Sequence, residues 1–168
     1  MELVTIRLGT VSDLSAIVDI YNAAIPTRQA TADLEPIAPE SRLQWLKDHH
    51  PEQYPIWVAQ TPDGVAGWLS LQMFYGRIAY RHTAEVSLYI APDYQRRGIG
   101  QQLVQHALDH CPALGLTALM CVIFAHNHGS INLFARFGFQ RWGFLPLVAD
   151  LDGIKRDVVI LGKTIVSP

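Results

Sequence analysis

The chain predicts one mixed α/β domain, with strands and helices interleaved along its whole length. Three observations carry that reading. Apolar residues alternate in some stretches and recur at three- and four-residue spacing in others. The 168 residues suit a single domain with a sizeable core. Hydrophobic content of 49% and charged content of 17% belong to a globular chain rather than a disordered one.

Val4–Leu8 alternates and reads as a strand. Thr10 and Asp13 offer a capping box, with Asp13 in the place of the usual glutamate. Leu14, Ile17, Val18 and Tyr21 then follow helical spacing, so a first helix runs to about Ala24. Pro26 to Pro39 is polar and turn-rich. A loop there can cover a substrate, although most such loops only connect. A short helix is expected over Ser41–Asp48, with Leu43 and Leu46 inward.

Ile56–Gln60 and Val65–Phe74 read as strands joined by the Asp63-Gly64 turn, and His82–Ile90 as the next strand. Gly98–His110 carries Leu103, Val104, Ala107 and Leu108 on one helical stripe. Ala118–Phe124 is a continuous apolar run, as in a fully buried strand. Ser130–Phe137 is helical, with Gly138 placed to end it. Two further strands, about Arg141–Ala149 and Arg156–Ile165, meet at Asp152-Gly153. The domain therefore spans residues 4–166, without repeats or low-complexity tracts.

Several function classes fall away on bulk properties. A net charge of −2 gives no reason to expect a nucleic-acid partner, which usually needs a basic face. No apolar run approaches the roughly 20 residues that cross a bilayer, so no membrane partner is expected. The opening residues Met1 to Arg7 lack the basic flank and apolar run of a signal peptide, which makes the cytoplasm the expected location. Cys111 and Cys121 form no CxxC pair, and His49-His50 and His126-x-His128 lack a third ligand at a recognisable spacing. No metal is expected. Cys121 lies in mid-strand, where packing accounts for it.

The segment Gln95-Arg96-Arg97-Gly98-Ile99-Gly100 follows the His82–Ile90 strand and opens a helix. Unobstructed amides at a helix start form an anion seat, and two arginines stand beside it. A phosphate-bearing ligand suits it. The segment is not a Walker loop, which needs a Gly-Lys-Ser/Thr ending. Nor is it a dinucleotide fingerprint, since Leu103 takes the third glycine's position and Ala118–Phe124 carries no acid. A strain-relieving turn is the plainer alternative.

These residues resemble the acetyl-CoA motif of the GNAT N-acetyltransferase superfamily, Gln/Arg-x-x-Gly-x-Gly/Ala. A second resemblance lies in Asn127, Ser130, Leu133, Gly138 and Phe139, which are similar to the family's Asn-x-x-Ala/Ser helix with its Gly-Phe ending. Tyr21-Asn22, Ala30 to Asp33 and Tyr80 to Glu85 look like the phosphinothricin and methionine sulfoximine acetyltransferase branch. The resemblance implies a mostly antiparallel sheet splayed at its central strands and flanked by helices. It implies an acyltransferase that moves acetyl from acetyl-CoA to the primary amine of a small amino-acid-like acceptor, directly in a ternary complex. A polyamine, an antibiotic or a protein N-terminus is the alternative acceptor, and a non-catalytic CoA-binding sensor the alternative role. Relatives in the family are often homodimers, and Trp142, Phe144 and Leu145 offer a surface for one, although core burial accounts for them as well.

Individual roles follow from the same resemblance. Glu85 takes the place of the catalytic glutamate, and strand alternation sets Glu85, Ser87 and Tyr89 on one face. Burial there would make it a better proton acceptor, whereas a solvated strand-start glutamate is the plainer reading. Leu88, Tyr89 and Ile90 would present backbone groups to the pantetheine arm. Arg96, Arg97, Gly98, Ile99, Gly100 and Gln101 would take the pyrophosphate. Asn127 and Ser130 would reach the arm's far side, with a plain helix-start role open for Asn127. Arg77 and Tyr80 are candidates for the acceptor's carboxylate, with Tyr21 and Arg28 weaker ones; a solvated loop arginine is as good an account of Arg77. Phe134 stands where relatives carry a tyrosine or histidine, and it cannot protonate a thiolate. Either no general acid is needed, or another residue such as Tyr89 or His128 serves.

Overall fold

The computed structural model describes residues 3–166. Its strands are β1 (Thr5–Leu8), β2 (Ile56–Thr61), β3 (Gly64–Met73), β4 (Thr83–Ile90), β5 (Ala118–Phe124), β6 (Gln140–Leu151) and β7 (Ile154–Thr164). They form one seven-stranded sheet in the order β1-β2-β3-β4-β5-β7-β6. Every pairing is antiparallel except that of β4 with β5. A parallel pair needs a crossover, and α3 (Ile99–His110) supplies it.

The helices divide between the two faces. α1 (Leu14–Ala24) and α2 (Leu43–Asp48) cover one face, where Ile17, Val18 and Leu46 pack with Ile56, Val58 and Trp68. Trp68 is pinned there as its Nε1 donates to the Ile17 carbonyl at 3.0 Å. α3 and α4 (His128–Arg136) cover the other face, and Leu103, Val104 and Ala107 meet Leu69, Leu71, Val86 and Leu119. The helical stripe read from the sequence is the buried stripe.

Local chemistry explains where the boundaries differ from expectation. Thr10 and Asp13 do open the first helix: the Asp13 carboxylate accepts from the Thr10 amide at 2.8 Å, and Val11–Asp13 form a 3-10 turn before α1. Pro39–Arg42 is likewise a 3-10 turn, which shortens the second helix to its last six residues. α4 begins two residues earlier than expected because Asn127 is its N-cap, its Oδ1 accepting from the Ser130 amide at 3.2 Å. The β6–β7 hairpin is longer than expected. Pro146 cannot donate to a ladder, and the register of β6 slips between Leu145 and Ala149, with Leu147 at φ 52°. Pairing resumes beyond the slip and reaches Leu151↔Ile154.

Candidate active site

β4 runs to Ile90, but it shares only the rungs Thr83↔Ala118, Ala84↔Leu119 and Glu85↔Met120 with β5. β3 follows β4 to the end, with Gly67 opposite Ile90. The sheet therefore forks immediately after Glu85. Beyond the fork, no strand among the described residues lies on the β5 side of β4, so its backbone there is open to a partner except at the Ile90 carbonyl, which accepts from Gln95 Nε2 at 3.3 Å.

A cleft of about 230 Å³ fills the fork. Glu85, Ser87 and Tyr89 line it from one strand, Cys121, Ile123 and Phe124 from the other, and Asn127, Ser130 and Phe134 from α4 and its start. Residues 29–32 form the remaining wall. Glu85 is half-buried, and its carboxylate accepts a long hydrogen bond from Gln72 Nε2 at 3.5 Å, across the β3–β4 pair.

The start of α3 packs beside the open end of β4, Gly100 lying close to Leu88 and Ile90. Gly98 is its N-cap at φ 82°, a conformation that side-chain-bearing residues adopt at a cost. The first intrahelical bond at that end runs from the Gln102 amide to the Gly98 carbonyl at 3.1 Å, so the Ile99, Gly100 and Gln101 amides have no partner within the helix. Gly100 is needed for close approach: a Cβ there would stand 3.2 Å from Leu133 Cδ2 and 3.7 Å from Leu88 Cδ2. The amide cluster thus abuts the open part of β4. Arg96 and Arg97 are exposed beside it, with the Arg97 guanidinium 5.2 Å from the Tyr94 ring centre.

Other groups are already occupied. The Tyr89 hydroxyl donates to the Ala30 carbonyl at 3.1 Å, and burial pushes its ionisation far above the ordinary range. Tyr21 donates to Asp33 and lies 2.5 Å from the Thr31 hydroxyl. Asn127 caps α4 and also donates from Nδ2 to the Gln29 carbonyl at 3.0 Å. Burial and the neighbouring Glu85 charge push the Cys121 thiol up to about 12. Phe134 is buried in the cleft wall.

The structure does not bring every candidate together. Arg77 and Tyr80 sit on the exposed β3–β4 connection and line neither the cleft nor the recess beside it; the Tyr80 ring meets Phe74 and Tyr75 edge-on. Arg28 forms an ion pair with Asp152 instead of facing the cleft. Tyr21 lines the neighbouring recess, together with Arg42, Trp45, Trp68 and Gln72. Sequence reasoning passed over Arg42, Trp45 and Gln72. Gln72 was within reach, because strand alternation from Trp68 places it on the same face. No local signal marks Arg42 or Trp45.

A sheet forked behind a carboxylate, with open helix amides at the end of the fork, is the architecture of an N-acetyltransferase. A model of the Acetyltransferase (GNAT) family matches residues 15–139, and the chain belongs to that family. It is 46% identical over 160 residues to YwnH of Bacillus subtilis, provisionally named a phosphinothricin acetyltransferase, covering 95% of this chain and 98% of that one. It is 32% identical over 158 residues to an L-methionine sulfoximine/L-methionine sulfone acetyltransferase of Pseudomonas aeruginosa, covering 94% and 92%. Among solved structures it matches a phosphinothricin acetyltransferase of Sinorhizobium meliloti in complex with acetyl-CoA. That match has a TM-score of 0.90 at 27% identity, covering 96% of this chain and 88% of that one.

Proposed function

We propose that this N-acetyltransferase uses acetyl-CoA to acetylate the primary amine of a small amino-acid-like acceptor, of phosphinothricin or methionine sulfoximine type, by direct transfer in a ternary complex. The observation that carries this reading is the position of Glu85 on the last rung β4 shares with β5. It puts a proton acceptor at the apex of the fork, in the cleft lining, where an acyl group and an amine can meet. The relatives named above act on, or are named for, acceptors of this kind.

The residues present fit acetyl-CoA. The Ile99, Gly100 and Gln101 amides, with Arg96 and Arg97 beside them and Gly98 leaving the approach clear, suit a diphosphate. Of the segment Leu88, Tyr89 and Ile90, the backbone of Leu88 and Ile90 faces the open edge of β4 and suits the amides of a pantetheine arm, which pair as an added strand does; the Ile90 carbonyl accepts from Gln95 Nε2 at 3.3 Å, and Tyr89's backbone faces β3. Ser130 and Asn127 stand on the opposite wall. When bound, acetyl-CoA supplies an activated acyl group on a leaving thiol.

The amine nitrogen attacks the thioester carbonyl carbon, the carbon–sulfur bond breaks, and sulfur takes the bonding electrons. Glu85 receives the amine's proton, directly or through a water. The acceptor's free α-amino group is mostly protonated at neutral pH, so removal of that proton is the base's task before attack. A backbone N–H of the open β4 segment is the donor for the developing oxyanion. Phe134 offers no proton, the Tyr89 hydroxyl is committed to Ala30, and His128 does not line the cleft. Sulfur therefore departs as thiolate, which a free thiol's pKa of about 8.5 permits. The neutral Cys121 thiol is no nucleophile, in keeping with direct transfer.

Calorimetric titration with acetyl-CoA, followed by a thiol-release assay over amino acids, methionine sulfoximine, phosphinothricin and polyamines, tests the reading. Binding and turnover of an amino-acid-type amine are expected. Absence of heat, or turnover of polyamines alone, defeats it. We further propose a cytoplasmic location and a homodimer, the dimer supported by the exposed apolar side chains Trp142, Phe144, Leu145, Leu147 and Val148 on edge strand β6. Among the described residues no helix is long and apolar enough to cross a membrane.

A further inference from the structure

We propose that the recess between α1, α2 and the β3–β4 face receives the acceptor's side chain, and that it selects an uncharged side chain over an anionic one of the same shape. The proposal rests on the acetyl-transfer reading above.

Position is the first argument. Ser87 and Tyr89 border both the cleft and the recess, and Gln72 lines the recess while its amide reaches Glu85. An amine placed at Glu85 projects its substituent past Ser87 into this space. The recess holds about 160 Å³. An apolar cavity of ~150 Å³ takes up benzene, so a side chain of leucine, methionine or phenylalanine size fits.

The chemistry of the wall is the second argument. Ile17, Val18, Ile37, Trp45 and Trp68 supply an aliphatic and aromatic lining. Two of its polar groups are spoken for. The Trp68 indole N–H is given to the Ile17 carbonyl, and the Tyr21 hydroxyl to Asp33. Arg42 is the one basic side chain in the lining, and its charge is shared three ways. It pairs with Asp33 at 3.5 Å and lies over the Tyr21 and Trp45 rings at 5.2 and 5.7 Å. An anion entering here would lose its water and compete with Asp33 for that guanidinium. A neutral side chain gives up far less hydration and needs no counter-charge.

The test uses the full chain with saturating acetyl-CoA. L-Methionine sulfone and phosphinothricin form a pair of similar shape in which the second is anionic, and L-norleucine and L-glutamate form another. The neutral member of each pair is expected to show a kcat/KM at least about 100-fold higher. Turnover with equal or inverted preference overturns the proposal and leaves acetyl transfer standing. Acetyl-CoA binding without turnover of any amine removes both. Trp45→Ala is expected to lower kcat/KM for norleucine about tenfold or more, through its KM. An equal rise in the acetyl-CoA KM would show a merely structural role and overturn the assignment. Ile37→Lys, on the partly buried rim, supplies an uncommitted cation. It should raise the phosphinothricin-to-sulfone ratio about tenfold; an unchanged ratio counts against the recess.

Discussion

Arg28 and Asp152, 124 residues apart in sequence, join the loop after α1 to the tip of the β6–β7 hairpin, with Arg28 Nε 2.6 Å and Nη2 3.3 Å from the carboxylate oxygens. Arg28 also donates to the Ile25 and Leu34 carbonyls, and its own carbonyl accepts from His126 Nε2 at 2.8 Å. With Tyr89 and Asn127 holding Ala30 and Gln29, the loop that walls the cleft is tied on several sides.

Releasing that tie should loosen the cleft wall without unfolding the domain. Arg28→Ala is expected to lower kcat/KM about tenfold, kcat and KM moving together, and to expose residues 26–35 to limited proteolysis. Wild-type kinetics in the variant would show that the wall needs no anchor.

Glu85→Gln keeps the shape of the side chain and removes the proton acceptor. Turnover should fall about 100- to 10,000-fold, with acetyl-CoA binding measured by calorimetry unchanged. A variant as active as wild type would place the base elsewhere.

Cys121 stays protonated, since its thiol is pushed up to about 12. Cys121→Ser should retain activity within about threefold, and intact-mass measurement after incubation with acetyl-CoA should show no acylated cysteine. A covalent adduct that forms and decays at the turnover rate would replace direct transfer with a two-step route.

Acid sensitivity should trace in part to one buried carboxylate. The Arg7 guanidinium, forked onto Asp13 at 2.8 Å through each nitrogen, holds that carboxyl below its ordinary value of 3.8. A lowered folded value means the stabilisation is complete above 3.8 and is lost as pH falls through the folded value. Asp13→Asn should therefore cost about 1–3 kcal/mol in urea melts at neutral pH, the gap narrowing toward pH ~3. A gap that does not change with pH contradicts the ion-pair account.

Sedimentation at micromolar concentration should show a dimer, and Leu147→Asp, at an exposed site on edge strand β6, should shift it to monomer. Wild-type protein sedimenting only as monomer removes that interface.

Much of the fold was written in local pattern. The alternation of β4, the stripe of α3 and the Asp152-Gly153 turn each depend on neighbours in sequence, and each appears where that pattern puts it. The same holds for the open amides after Gly98, because a helix start and a residue free to take φ 82° are local facts. Asn127 shows how close two local readings can lie. The sequence left it between cofactor contact and helix start, and it caps α4 while facing the cleft.

Local pattern could not say which strands part company. The fork after Glu85 depends on β5 turning toward β7, and the pairing of Val122 with Ile160 joins segments whose mutual approach no periodicity records. Arg77 and Tyr80, chosen for their chemistry, line neither space, while Arg42 and Trp45 reach the recess from a helix start with no motif of its own. Side-chain type and spacing set what each segment can form and which chemistry it carries. Which side chains share a wall is set by how the helices pack on the two faces of the sheet, through contacts between residues far apart in the chain.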